Sequence, residues 1–216
     1  MTALVVEVRA RAGAFELDAR FTARPGVTVL FGPTASGKTL TLRIVAGIDR
    51  ALAGCIRFGE TTFDDAGPTF VRPQERRLGF APQDAALWSH RSALDHLTPL
   101  TARGRAVELL ALVGLERHAE RKPANLSGGE RQRLAFARSL AHEPSILLLD
   151  EPFSALDDET RAKMGEIVRA RATAGTTVLF VTHDREEAAR LGDAFVLFDN
   201  GHTRESADLI PLKQEG

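Results

Sequence analysis

Lys38 and Thr39 close an eight-residue run, GPTASGKT at 32–39, that fits the pattern G-x-x-x-x-G-K-[ST]. An apolar run precedes it and a helical pattern follows it, so the run is predicted to join a strand to a helix. Its backbone N–H groups could surround an anion, and the positive end of the new helix would face the same point. We expect Lys38 to reach the β- and γ-phosphates of a nucleotide and the Thr39 hydroxyl to bind Mg²⁺. The alternative is a glycine-rich turn before an ordinary helix. The residues of this predicted phosphate loop are Gly32, Pro33, Thr34, Ala35, Ser36, Gly37, Lys38 and Thr39.

Two adjacent acids, Asp150 and Glu151, follow the apolar run at 145–149. The carboxyl end of a parallel strand is where ligands bind in open α/β sheets. Asp150 is therefore predicted to bind Mg²⁺, and Glu151 to accept a proton from the attacking water or to orient it. The alternative is that both acids cap a turn before Pro152.

A second candidate anion site is the segment LSGGE at 126–130, which we call the signature segment. A helix is predicted to begin here, and its N-terminus would favour negative charge. Ser127 and Glu130 also match a capping box, which needs no ligand. However, glycine in a helix costs about 1 kcal/mol relative to alanine. Gly128 and Gly129 therefore predict that some group approaches the backbone closely.

Apolar runs and helical periodicity predict an α/β fold with a mostly parallel sheet. The first two strands and the run at 55–58 have no helix between them and are expected to form an antiparallel β edge. Residues 84–143 lack strand signals and predict a helical insert, with a core at about 1–83 and 144–216. The Asn-Gly pair at 200–201 predicts a hairpin turn. The predicted strands are 3–8, 15–21, 27–31, 55–58, 78–81, 145–149, 176–181 and 194–198; the predicted helices begin after Lys38 and cover 104–113, 128–142, 158–173 and 184–191.

The composition is that of a globular protein, with 44% hydrophobic and 26% charged residues over 216 positions. The formal net charge of −1 does not favour a nucleic-acid binder. The single cysteine, Cys55, cannot form an internal disulfide and suits a reducing compartment. Charges interrupt every apolar run before about 18 residues, and the N-terminus lacks a signal-peptide pattern. Any membrane association is therefore expected to depend on a partner.

Taken together, these motifs resemble those of the nucleotide-binding subunits of ATP-binding cassette (ABC) transporters. The signature segment matches that family's signature, and Ser154–Asp157 matches its D-loop. Gln83 matches the Q-loop glutamine, and His183 matches the switch histidine. The resemblance also implies an aromatic residue that stacks on adenine, for which Phe15 is the candidate.

The resemblance implies a P-loop NTPase fold that forms a single ABC ATPase domain and takes ATP and Mg²⁺. The implied catalytic residues are Glu151, His183 and Gln83, and the implied metal ligands are Thr39, Gln83 and Asp150. Two cassettes, as a homodimer or a heterodimer, are expected to face each other head to tail. Each ATP would lie between the phosphate loop of one chain and Ser127, Gly128, Gly129 and Glu130 of the other.

The stretches 72–80 and 83–90 resemble those of importer subunits for small solutes, most closely the molybdate type, with sulfate, iron and sugar systems also similar. Trp88 and Ser89 depart from the Phe-Pro of that pattern. The resemblance implies a membrane permease, a solute-binding protein and a peripheral position on the cytoplasmic face of the membrane. The segment 83–97 is predicted to dock the permease through Leu87, Trp88, Leu94 and Leu97; alternatively, Trp88 packs within the insert. The alternative functions are a separate-subunit exporter, a soluble ABC ATPase and a non-hydrolysing regulatory cassette.

Overall fold

A single mixed sheet runs through residues 2–208, the part of the chain that the computed structural model describes. Its strands are β1 (Leu4–Ala12), β2 (Phe15–Ala23), β3 (Gly26–Phe31), β4 (Ala53–Phe58), β5 (Thr61–Asp64), β6 (Leu78–Ala81), β7 (Ile146–Asp150), β8 (Thr177–Thr182), β9 (Ala194–Asp199) and β10 (His202–Ser206). From edge to edge the order is β5-β4-β1-β2-β10-β9-β3-β8-β7-β6.

Five strands, β9-β3-β8-β7-β6, form the parallel half of the sheet. Every residue of β7 and β8 is buried, as expected for strands covered on both faces. The carboxyl ends of β3, β7 and β8 meet at one edge of the sheet. This edge therefore receives the phosphate loop, Asp150 and the segment after Thr182.

The antiparallel half contains β5, β4, β1 and β2, so the predicted antiparallel edge is confirmed. It is continuous with the parallel half through β10, which pairs with β9 and, at His202 opposite Asp18, with β2. Asn200 and Gly201, at φ 44° and 82°, make the predicted hairpin turn. The strands β5 and β10 were not predicted. β10 is polar and half exposed, so it carries no apolar alternation to mark it.

The helices match the predicted periodic segments closely, and helix 158–173 matches at both ends. Asp157 accepts a hydrogen bond from Thr160 N at 2.9 Å and caps that helix. The helices are α1 (Lys38–Ala46), α2 (Arg103–Leu112), α3 (Gly128–Ser139), α4 (Asp158–Thr173) and α5 (Arg185–Leu191); short 3₁₀ helices cover Pro73–Glu75, Leu94–His96, Glu116–His118 and Pro123–Asn125. None of the helices in the described residues is long and apolar enough to cross a bilayer.

The core has two layers because neighbouring strand residues point to opposite faces. In β7, Leu148 packs with α1 and the antiparallel strands on one face. Leu147 and Leu149 pack on the other face with α3, α4, α5 and the helical stretch. Burial of each such leucine contributes about 1.5–3 kcal/mol. The division into a core and a helical subdomain at 84–143 stays a prediction.

Candidate active site

The loop at 32–39 joins β3 to α1 as predicted, and both of its glycines are required by close packing. A Cβ on Gly32 would lie 2.3 Å from the carbonyl oxygen of Phe198. Gly37 has φ 106°, and a Cβ there would lie 2.7 Å from Leu17 Cδ1 and 3.2 Å from Phe15 Cζ. The loop can therefore be tight and left-handed at this point only with glycine.

Lys38 points into the concave side of this loop. Its ammonium group donates to the carbonyl oxygens of Gly32, at 2.8 Å, and Pro33, and to Ser36 Oγ at 3.3 Å. Burial lowers the pKa of Lys38, while the charges of Glu151 and Asp150 oppose that shift. A buried cation therefore lies beside the two carboxylates that follow β7.

Asp150 ends β7 as a buried carboxylate with one unsatisfied atom. Its Oδ1 has no hydrogen-bond partner among the described residues. Burial raises the pKa of Asp150, whereas a hydrogen bond from Thr39 lowers it. An unpaired buried carboxylate oxygen next to a hydroxyl suits a hard cation such as Mg²⁺. The residues present therefore fit the metal that the sequence implied.

Glu151 occupies the left-handed region, with φ 46°, and its N–H donates to Val181 O at 3.0 Å. That conformation costs a non-glycine residue about 1–3 kcal/mol and is concentrated at functional sites. Gln83 Nε2 donates to Glu151 Oε2 at 3.3 Å. His183 Nδ1 lies 3.3 Å from Glu151 Oε1. The structure thus brings together the three residues predicted to be catalytic.

These side chains share a cavity of about 620 Å³ with the phosphate loop, a volume within the usual range for small-molecule sites. Phe15 lies in its wall, where the predicted adenine contact requires an aromatic ring. Sequence reasoning missed several residues of the lining, because no motif marks them before the fold is known. The cavity is lined by Ala12, Phe15, Thr34, Ala35, Gly37, Lys38, Thr39, Leu40, Arg43, Asp49, Gln83, Glu151, Val181 and His183.

The signature segment forms the predicted capping box at the start of α3. Glu130 N donates to Ser127 Oγ at 3.2 Å, and Ser127 N donates to Glu130 Oε2 at 2.6 Å. The bond from the Ser127 backbone is the main cause that lowers the pKa of Glu130. His118 Nδ1 lies 2.7 Å from the other oxygen, Glu130 Oε1. One oxygen of Glu130 therefore accepts a hydrogen bond within the chain, and the other lies beside His118.

The two signature glycines have different structural reasons. A Cβ on Gly129 would lie 2.9 Å from Ala155 O, so the close approach there comes from this chain's own D-loop. The close approach predicted from the two glycines is thus found at Gly129, where the approaching group belongs to the chain itself. Around Gly128 the nearest heavy atom to an added Cβ is 3.8 Å away. Of the two signature glycines, only Gly128 therefore has free space at the position of a Cβ atom.

Gln132, one turn into α3, ties the signature helix to the D-loop. Its side chain donates to Ser154 Oγ at 2.7 Å and accepts from Ala155 N at 2.9 Å. The signature segment and the D-loop line a second cavity, of about 420 Å³. Among the described residues that line it, none belongs to the phosphate loop. Within one chain, the two candidate anion sites therefore face different cavities.

The predicted docking cluster at 83–97 requires a correction. Leu94 and Leu97 are buried in the main core, because the 3₁₀ helix Leu94–His96 packs beneath the segment and against α2. Leu87 is half-buried against the same core. Trp88 remains 43% exposed, as expected for a docking residue. Its ring stacks on buried His96 with centroids 5.3 Å apart, so it also packs within the helical stretch.

The phosphate loop, the acids at the end of β7 and the capped signature helix define a class, that of ABC-type P-loop ATPase domains. The family model described as ABC transporter matches residues 18–154, and the chain belongs to this family.

Among curated proteins, the chain is similar to the molybdenum import ATP-binding protein ModC of Brucella abortus (strain 2308). The two are 39% identical over 98% of this chain and 62% of that protein. The chain thus spans less than two thirds of the length of this relative. It is also 45% identical to the sulfate/thiosulfate import ATP-binding protein CysA 1 of Rhizobium meliloti (strain 1021), over 80% of this chain and 52% of that protein.

Among solved structures, the chain is similar to MJ0796, a bacterial ABC transporter cassette solved as a dimer. The TM-score is 0.83 and the identity 28%, over 95% of this chain and 98% of that one. The same cassette has also been solved as a dimer in a post-hydrolysis state bound to ADP and Pi, with the same score and coverage.

Proposed function

We propose that this chain is the ATP-binding and ATP-hydrolysing subunit of an ABC importer for a small solute or oxyanion such as molybdate. One observation carries the proposal. Glu151 lies between Gln83 and His183, in the same cavity as Lys38 and Phe15. A carboxylate flanked by an amide donor and an imidazole beside a phosphate loop is suited to activate water for nucleotide hydrolysis.

In this proposal, the cavity holds ATP by its two ends. Phe15 stacks on the adenine, and the backbone N–H groups of 32–39 bind the β- and γ-phosphates. Lys38 exchanges the loop carbonyls that it now contacts for phosphate oxygens. A buried cation gains more from an anion than from neutral carbonyls, because charge-assisted hydrogen bonds are the stronger ones.

Mg²⁺, when bound, neutralises charge that develops on the phosphates. Asp150, Thr39 and Gln83 are the residues that would hold it. Mg²⁺ commonly uses only one or two protein carboxylates and completes its shell with water and phosphate oxygens. The unpaired Oδ1 of Asp150 is the observation that supports this assignment.

For hydrolysis, Glu151 accepts a proton from the attacking water at one carboxylate oxygen. Gln83 holds the carboxylate through its amide and helps to orient that water. His183, on the other side, can donate a hydrogen bond toward the transferred phosphoryl group. The strained backbone of Glu151 fixes the carboxylate before the substrate arrives, which lowers the cost of reorganisation.

The signature segment acts on a second copy of the chain in this proposal, as a homodimer or as a cassette heterodimer. Its cavity is distinct from that of the phosphate loop, so one nucleotide can touch both only across an interface. Ser127, Gly128, Gly129 and Glu130 would then complete the site of the partner. ATP binding stabilises such a dimer by mass action, and hydrolysis releases it.

The transport role is proposed from the relatives, two of which are named for molybdenum and sulfate import. It implies a membrane permease, a solute-binding protein and a position on the cytoplasmic face of the membrane. An exporter subunit and a soluble ABC ATPase are the alternatives. A permease gene and a solute-binding protein gene beside this one would support import, whereas a fused or neighbouring exporter would contradict it.

We propose that the permease docks beside Trp88, through exposed residues 88–90 rather than through Leu87, Leu94 and Leu97. In an assembled transporter, a cysteine at Ser89 is expected to cross-link to a permease loop. A cysteine at Lys163, which is exposed on α4, is the matched control and should not cross-link. Equal cross-linking at the two positions would place the docking surface elsewhere.

The direct test of ATP use is turnover by the purified chain and its Lys38→Ala variant. The substitution removes the cation aimed at the phosphates, so ATP binding or turnover should collapse. Lys163→Ala removes an exposed lysine and should leave both unchanged. Wild-type affinity and turnover in Lys38→Ala would contradict the proposed phosphate loop.

A further inference from the structure

The turn that presents Gln83 continues into an unfavourable backbone conformation. Ala85 N donates to Pro82 O at 3.0 Å and closes a turn around Gln83 and Asp84. The values of φ are 61° at Ala85 and 43° at Ala86. Alanine rarely takes a positive φ, because its Cβ then meets the following carbonyl oxygen. Two such residues in succession need a constraint from elsewhere in the chain.

Arg138, in the last turn of α3, supplies that constraint. Its Nη1 donates to Ala86 O at 2.7 Å, and its Nη2 donates to Ala85 O at 3.1 Å. A planar guanidinium group that donates hydrogen bonds to two consecutive carbonyl oxygens restrains the orientation of both peptide planes. Burial lowers the pKa of Arg138 and the charge of Asp84 opposes the shift, so the group is desolvated beside this turn. A desolvated cation depends on such acceptors.

We infer that Arg138 is a positioning residue for Gln83. It holds Ala85 and Ala86 in their left-handed conformation, so that the preceding turn places the Gln83 amide against Glu151. This inference rests on the proposed role of Gln83 in hydrolysis. Since α3 begins at the signature segment, Arg138 connects that segment to the Gln83 turn through one helix.

The same guanidinium lies below the exposed aromatic residue of this region. Arg138 Cζ is 5.7 Å from the centroid of the Trp88 ring. A protein that displaced Trp88 would therefore change the surroundings of the Arg138 guanidinium, which restrains the turn after Gln83. Arg138 belongs to the signature helix, contacts the turn after Gln83 and lies beside Trp88.

The test compares ATP turnover by the full chain carrying Arg138→Met or Arg138→Lys. Methionine keeps much of the apolar stem but removes every hydrogen-bond donor. Lysine keeps the positive charge but lacks the planar pair of donors that reaches both carbonyl oxygens. We expect Arg138→Met to lower kcat about ten- to hundredfold with little change in KM, since a misplaced catalytic group affects chemistry more than binding. Arg138→Lys should lose less. Arg169→Met is the matched control, because Arg169 also donates to a carbonyl, Leu191 O at 3.0 Å, away from the site.

A rescue experiment separates positioning from a general structural role. Glycine adopts positive φ readily, so Ala85→Gly with Ala86→Gly should restore part of the kcat that Arg138→Met removes. Thermal unfolding midpoints are measured for every variant. If Arg138→Met does not fold, Arg138→Lys carries the same comparison with and without the glycine pair. A wild-type kcat without Arg138, or no recovery with the glycine pair, would overturn the inference.

ATP turnover by Gln83→Ala is measured in parallel, to separate the proposed role of Gln83 from the inferred role of Arg138. Wild-type turnover in Gln83→Ala would reject the proposed role of Gln83 itself. Lost turnover in Gln83→Ala with unchanged turnover in Arg138→Met would reject only the positioning role of Arg138.

Discussion

At the scale of single residues, the chemistry that we propose for this site depends most on Glu151. It has a left-handed backbone, an amide on one carboxylate oxygen and an imidazole near the other. Neither contact needs the carboxylate charge to be lost, so the group can serve as a base. In the neighbouring Asp150, burial raises the pKa of the carboxyl group, and one carboxylate oxygen has no hydrogen-bond partner among the described residues. These different surroundings support the different roles that we propose for the two adjacent acids.

The variant Glu151→Gln should bind ATP but lose hydrolysis. The amide keeps the shape and removes the basic oxygen, and general-base catalysis contributes about 10²–10⁴-fold. Turnover and ATP affinity of the purified variant are the measurements, with Glu166→Gln, an exposed acid on α4, as control. Full turnover in Glu151→Gln would mean that this residue only caps the turn before Pro152.

At the scale of elements, the segment between β6 and α2 is organised by a buried histidine. His96 Nδ1 lies 2.6 Å from Ser92 O, and its Nε2 accepts from Trp88 N at 2.9 Å. These bonds require the neutral ring. Burial is the main cause that lowers the pKa of His96, and the charges of Arg91 and Arg138 lower it further. The hydrogen bond to Ser92 O and the charge of Asp95 act in the opposite direction.

This arrangement predicts a pH dependence of stability. In the unfolded chain His96 takes up a proton near its ordinary pKa of about 6.5, whereas in the folded chain it does so only at lower pH. The unfolded state therefore binds more protons below that value, and the free energy of unfolding falls as the pH drops. The contribution is fully present above the unfolded pKa.

Chemical denaturation from pH 7.5 to 5 in the wild type and in His96→Gln measures this effect. Glutamine cannot titrate, so the variant should lose stability at neutral pH and show a shallower fall toward acid. His90→Gln, which removes an exposed histidine from the same segment, should keep the slope of the wild type. Equal slopes in the wild type and His96→Gln would contradict the neutral, buried assignment.

The elements that carried strong local signals could be predicted from sequence. The strand, loop and helix around 32–39 combine an apolar run with glycines at positions that need them. Helix α4 has a capping aspartate and a regular apolar face. The meeting of Gln83, Glu151 and His183 was expected from the resemblance of their motifs to those of ABC transporter subunits.

Features that depend on distant parts of the chain could not be predicted in this way. The polar strand β10 is stabilised by backbone pairing with β9 and β2, which no local pattern encodes. Leu94 and Leu97 looked like a surface cluster because the helices that cover them come later in the chain. The hydrogen bonds from Arg138 to Ala85 and Ala86 join residues some fifty positions apart, so no periodic pattern in the sequence marks them.

At the scale of the whole molecule, we propose that one chain carries one half of each of two nucleotide sites. The phosphate loop faces a cavity with Glu151, and the signature segment faces another with the D-loop. Both are helix N-termini suited to anions. A two-fold dimer would pair each half with the complementary half of the other copy.

Mixing two inactive variants tests this claim most directly. Lys38→Ala disables the phosphate loop, and Gly128→Glu places a bulky negative charge where the signature backbone is open. Each variant alone should show almost no ATP turnover. In a mixed dimer, one site would combine the intact phosphate loop of one chain with the intact signature segment of the other. Turnover of an equimolar mixture should therefore recover to at most about a quarter of the wild-type rate, since half of the dimers are mixed and each has one intact site of two. A mixture as inactive as its two components, although both variants fold and mix, would contradict a nucleotide shared between two copies of the chain.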